Sequence, residues 1–184
     1  VLIIKQNPDY YFTSDDSKIH KSAILIDCEI GKNCIIAPFA IINQDCKIDD
    51  NSIIGPYNVL ERGVLVGKNV TMGPHGVFAI DTIIGDNCFF GPHFSCANDK
   101  DISYGEHGTS SKKLPYVEYP ITFEPGCTIG TRCTIAPGVT IGQGSRLDMC
   151  CFITKNVKPF SHMRGTNQLV AKLIRTMDTR PDEI

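Results

Sequence analysis

The chain has 184 residues, 42% of them apolar and 21% charged, with 18 Lys and Arg against 20 Asp and Glu. That is the scale of one ordinary globular domain, and it excludes a collagen-like, disordered or membrane-bundle chain. A net charge of −2 holds no basic excess to meet a phosphate backbone, so no nucleic-acid partner is expected.

Residues 1–18 carry no repeat and are expected to cap one end of the fold. Val1-Leu2-Ile3-Ile4 has four apolar residues before Lys5, shorter than a secretory core, and no apolar run approaches the roughly 20 residues of a membrane span. The expected location is cytoplasmic, with no membrane partner. The nine cysteines form no CxxC pair and are expected to be reduced thiols. His20, in the lead-in to the first repeat, is expected to be a cap residue.

From Ile24 the chain repeats every six residues. Ile24, Ile30, Ile36, Ile42, Ile48, Ile54, Leu60, Val66, Met72, Phe78, Ile84 and Phe90 are all apolar. Gly or Ala often follows directly, as at Gly31, Gly67 and Ala79. Four residues on comes a small or modest side chain, a position held by Cys28, Cys34, Cys46 and Cys88, and broken only by Asn58 and Phe94. A helix repeats its face every 3.6 residues and a strand every 2, so a sustained period of six is neither alone. It fits a parallel β-helix, in which each hexad supplies a short strand and a corner, and stacked coils bury one interior. Cysteines at the small position are expected to be core packing.

A second period counts the sides. Corner residues taken every 18 positions read Asn33, Asn51, Asn69, Asn87 in one set, and Asp27, Asp45, Gly63, Asp81 in another. The third reads Phe39, Tyr57, His75, His93, each after a proline. Three distinct columns predict triangular coils of 18 residues. Asn, Asp and Gly are the residues that tolerate left-handed turns. Strand spacing of about 4.8 Å stacks the ring column directly, one member above another. Crossover rules favour a right-handed coil, whereas the period alone leaves handedness open.

The register runs to Cys96 and resumes at Phe123, an interval that is no multiple of six. Residues 97–120 are therefore a protruding loop, polar and of mixed charge, suited to cover a polar ligand. The first helical block is 19–96 and the second 121–158, the latter holding Cys127, Cys133 and Cys151 at the small position. In residues 159–184, Leu169, Val170, Leu173, Ile174 and Met177 keep helical spacing after Thr166-Asn167, a pair suited to an N-cap, so an α-helix and a loose tail are expected. His162 nearby is expected to be structural.

Ile30-Gly31-Lys32-Asn33-Cys34, Val66-Gly67-Lys68-Asn69-Val70, Ile84-Gly85-Asp86-Asn87-Cys88 and Ile129-Gly130-Thr131-Arg132-Cys133 resemble the motif of the hexapeptide acyltransferases. The resemblance covers residues 19–175. It implies an all-β left-handed parallel β-helix, a homotrimer with active sites between subunits, and acetyl-CoA as donor. The stretch from Phe90 through Asn98-Asp99 is most like the N-acetyltransferases of nucleotide-linked amino sugars. Those sugars are UDP- or dTDP-linked. The implied reaction moves an acetyl group to the amine of such a sugar, and the alternative is O-acetylation with a histidine base.

On that resemblance His75 is the first candidate beside the acceptor nitrogen, and His93 its partner. Asn98, Asp99 and Tyr57 are candidates for acceptor recognition. The donor is expected to run past Cys133 and Cys151, with Lys155 and Lys172 near its phosphates. His107 is a further loop candidate. The usual Gly-Asn-Pro-Ala ending of the family is replaced by Gly165-Thr166-Asn167-Gln168-Leu169-Val170-Ala171-Lys172. A carbonic-anhydrase-like zinc site would need histidines five residues apart, and none are, so no metal is expected. Chemistry favours the amine: it attacks a thioester as the free base, whereas a hydroxyl needs a base during attack.

Overall fold

Each hexad folds into a two-residue strand and a corner. The strands stack into three parallel walls. The computed structural model describes residues 4–7, 9–12, 15–100 and 119–172. Wall one contains Ile35–Ile36, Ile53–Ile54, Thr71–Met72, Phe89–Phe90, Thr128–Ile129 and Arg146–Leu147. Wall two runs from Ile24–Leu25 through Ser95–Cys96 to Phe152–Ile153, and wall three from Glu29–Ile30 through Thr122–Phe123 to Thr140–Ile141. Successive coils pair in register, Ile35 with Ile53 and Thr71 with Phe89, so each strand meets the one three hexads on. Across the loop Phe89 pairs with Thr128, so the excursion lengthens one coil without disturbing the walls. The three-sided parallel β-helix is as the periods predict.

The second residue of each strand points inward. Ile36, Ile54, Met72, Phe90, Ile129 and Leu147 are buried along wall one alone, each worth about 1.5–3 kcal/mol of apolar burial. The small position is inside as well: Cys34, Cys46, Cys88, Cys127, Cys133 and Cys151 are buried free thiols, and Cys28 is half-buried in the first coil. The two exceptions to small side chains are accommodated specifically. The Asn58 amide donates to Gly55 and Gly73 carbonyls and accepts from Gly76 N–H at 2.8 Å. A Cβ on Gly76 would lie 2.4 Å from Asn58 Oδ1. Phe94 enters a cluster with Phe78, Phe90 and Phe123 at centroid distances of 4.9–5.7 Å.

All three corner columns adopt left-handed backbone. Asn33, Asn51, Asn69 and Asn87 have φ of 53–61°, and Asp27, Asp45 and Asp81 of 40–60°. The ring column does the same despite its bulk.

The ends differ from expectation. Ile4–Asn7 and Tyr10–Phe12 form an antiparallel hairpin on Lys18–His20, so the amino end extends wall one. His20 there accepts from or donates to Ser22 Oγ at 2.7 Å and meets the Tyr10 ring edge-on. At the other end the expected helix is replaced, over its first residues, by a strand. Gln168–Lys172 pairs antiparallel with Ser161–Arg164 and continues the same wall. The open edge of wall one demands backbone partners, and an extended hairpin supplies them where a helix would not. Thr166-Asn167 is accordingly a turn and not an N-cap: Asn167 has φ 51°, and its Oδ1 accepts from Thr154 N–H at 2.8 Å. Leu173, Ile174 and Met177 lie outside the described residues. Among the described residues no helix is long and apolar enough to cross a membrane.

Candidate active site

The corner between walls one and two carries Phe39, Tyr57, His75 and His93 one above another. Their ring centroids are 5.0, 4.8 and 4.9 Å apart, and the last two steps are parallel to within 2°. Each ring sits at φ of 57–61°, a conformation that costs a bulky residue about 1–2 kcal/mol. Part of that cost is offset by ring stacking, about 0.5–1.5 kcal/mol per pair. The N–H groups of Tyr57, His75 and His93 also donate to the proline carbonyl one coil below, His75 to Pro56 at 3.0 Å and His93 to Pro74 at 2.9 Å, whereas the Phe39 N–H donates to Ser22 Oγ at 3.1 Å. Both imidazoles are exposed. Among the described residues the one imidazole–carboxylate pair is His162–Asp148, and no acid of that set orients a ring of the column.

A cavity of about 700 Å³ opens on wall one beside the upper end of this corner. Phe89, Pro92 and Met149 give it apolar lining, and Arg146, Asp148, His162 and Arg164 a charged one. Asp148 organises the charges. Its Oδ1 lies 2.7 Å from His162 Nε2 and 3.7 Å from Arg146 Nε, and its Oδ2 accepts from Arg164 Nε at 3.0 Å. His162 first, then Arg164, holds the Asp148 carboxyl below the usual carboxylate range. Two guanidiniums against one carboxylate leave the wall cationic even with His162 neutral. Gly130 keeps the floor thin, because a Cβ there would come within 2.6 Å of Met149 N.

The expected site residues divide. His75, His93 and Tyr57 share the column, and His93 follows the cavity-lining Pro92, which makes it the nearer of the two histidines. Asn98 and Asp99 lie at the far corner, between walls two and three, separated from His93 by the Ser95–Cys96 strand. The structure does not bring them to the histidines within one chain. The Asn98 carbonyl there accepts from Tyr119 N–H at 3.2 Å, and Lys100 Nζ sits 4.0 Å over the Tyr119 ring, which ties the feet of the loop. Cys133 and Cys151 point into the prism, 0% and 1% exposed, so their sulfurs do not reach an external ligand. Burial pushes the Cys133 thiol up to about 12. Lys155 is exposed past wall two. The side chain of Lys172 and the whole of His107 lie outside the described residues.

Sequence reasoning missed Arg146, Asp148, His162 and Arg164. The signal becomes readable once the strand after the loop is placed: Arg146 falls on the outer face above Thr128, and the hairpin adds His162 above it.

Two family models match. The bacterial transferase hexapeptide (six repeats) covers residues 27–61, and the hexapeptide repeat of succinyl-transferase covers 81–92 and 120–155. Over those residues the chain carries transferase-type hexapeptide repeats. The fold is a three-sided parallel β-helix. Among solved structures, the polySia-specific acetyltransferase NeuO is similar at TM-score 0.60 and 18% identity, over 89% of this chain and 88% of that one. A point mutant of AntD, an N-acyltransferase from Bacillus cereus solved with dTDP and coenzyme A, is similar at TM-score 0.52 and 18% identity, over 87% and 82%. No curated protein sequence matches the hexapeptide chain at a significant level.

Proposed function

We propose that the protein transfers an acetyl group from acetyl-CoA to the amine of a nucleotide-linked amino sugar. The observation that carries this reading is a pair of exposed imidazoles beside a cation-walled cavity, with no carboxylate among the described residues to orient either ring. The donor occupies the cavity, its phosphates toward Arg146 and Arg164. Its thioester lies at the corner by His93. The acceptor nitrogen attacks the thioester carbon, the C–S bond breaks, and coenzyme A leaves as the thiol. His93, or His75 below it, takes the ammonium proton and returns it to the departing sulfur, which gives the free thiol; both transfers suit an imidazole at neutral pH. An amine tolerates a base that acts after attack, whereas an unoriented imidazole is a weak partner for a hydroxyl. The complex of AntD with dTDP and coenzyme A supports a nucleotide-linked acceptor.

Catalysis as a homotrimer fits the outer face of wall two, where Ile24, Val77 and Phe152 are more than 40% exposed. A neighbouring copy would bring its own Asn98 and Asp99 toward this corner. Release of the coenzyme A thiol in the presence of paired amino- and hydroxy-sugar acceptors tests the reading. The amino sugars should be consumed, with an N-acetyl product by mass. Turnover of hydroxy sugars alone, blocked by replacing both histidines, would establish O-acetylation instead.

A further inference from the structure

The ring column does not end at His93. Because the loop lengthens one coil, the next member is Arg132, and the one above it Cys150. Arg132 has φ 58°, and its N–H donates to Pro92 O at 2.9 Å, the same bond that His93 makes to Pro74. The preceding residue, Thr131, lines the cavity as Pro92 does. A guanidinium thus stands one coil above two imidazoles, at the edge of the cavity. It is exposed, and among the described residues it has no hydrogen-bond or ion-pair partner. The nearest acid lining the cavity, Asp148, is engaged by His162 and Arg164. No carboxylate stands in the column from Phe39 to Cys150.

We infer that Arg132 is a specificity residue that selects an acceptor bearing a negative group, a phosphate or a carboxylate, next to the reacting nitrogen. This rests on the acyltransferase reading and names the acceptor's charge class. A guanidinium held left-handed at a corner can present its fork outward without leaving an internal partner unpaired, and it matches a phosphate or carboxylate in two-point fashion. An anion lodged there would place the rest of the acceptor against His93 and His75.

The test compares the full chain with Arg132→Asn and Arg132→Lys. Asn tolerates the left-handed backbone, so the corner survives the change. Acceptors are a UDP- or dTDP-linked amino sugar and the same amino sugar without the nucleotide. Arg132→Asn should raise KM for the nucleotide-linked acceptor at least about tenfold relative to the free sugar, and Arg132→Lys should recover part of that loss. An unchanged ratio of the two KM values overturns the inference. So does a rise confined to the KM of acetyl-CoA, which would assign Arg132 to the donor's phosphates. If no amino sugar is turned over at all, the acyl-transfer reading fails by itself. Calorimetry with UDP and dTDP alone then decides the charge inference: weaker binding by Arg132→Asn upholds it, and equal binding removes it.

Discussion

His75 and His93 occupy the same corner of successive coils, and their imidazoles lie face to face, 4.9 Å between centroids and 2° between planes. Both hold left-handed backbone that Asn would adopt with less strain. Replacing either by Asn should therefore leave the melting temperature unchanged or slightly raised. Transfer should fall by roughly 10²–10⁴-fold if the lost ring is the proton acceptor. Paired thermal unfolding and turnover measurements check this. A large loss of stability with normal turnover would make the rings structural.

The cation wall makes its own prediction. Arg146→Gln and Arg164→Gln should each weaken acetyl-CoA binding about tenfold, the scale of one charge-assisted hydrogen bond, read by calorimetry. Lys155→Gln, whose exposed side chain lies away from the cavity, should change it little.

Asp148 links the wall to pH. Its folded carboxyl is held low by His162 and Arg164, so the unfolded chain binds the proton more readily. The contribution to stability is complete above the ordinary carboxylate range, near pH 3.9. It is lost as pH falls through the lower folded value. Asp148→Asn should flatten that part of an acid-unfolding curve and leave its shape near neutral pH unaltered.

Gly130 is a steric test of the floor. A Cβ there meets Met149 N at 2.6 Å and Asp148 C at 2.7 Å, both backbone atoms that cannot swing away. Gly130→Ala should cost about 1–3 kcal/mol, seen as a lower denaturant midpoint, and should narrow the cavity enough to raise KM for the donor.

The thiols report on the prism. Cys150 is exposed, whereas Cys46 and Cys96 are pushed up to about 11 by burial. Alkylation of the native chain should label Cys150 first and Cys28 more slowly, with the other thiols reacting only on unfolding. Peptide mass mapping over time distinguishes this order from uniform labelling.

The coil was legible because its cause is local: an apolar residue every sixth position and a turn-forming residue every eighteenth are both visible in one dimension. The same arithmetic placed Tyr57, His75 and His93 in one stack. It broke down where chemistry depends on what lies above the loop. Counting by coils stops at Cys96, and only the observed pairing of Phe89 with Thr128 shows that Arg132 continues the ring column. Cys133 and Cys151 occupy the small position that the period defines, yet that position faces inward, which removes their sulfurs from any donor path. The carboxyl end failed for a different reason. Leu169 and Val170 suit either a helix or a strand by spacing, and the unpaired edge of wall one selected the strand.

A crystal structure of the chain with coenzyme A and the nucleotide-linked product would test the corner most directly. The thiol should lie within hydrogen-bonding reach of the His93 or His75 imidazole, with the donor's phosphates against Arg146 and Arg164. A coenzyme bound on another wall, with its sulfur remote from both histidines, would contradict the account.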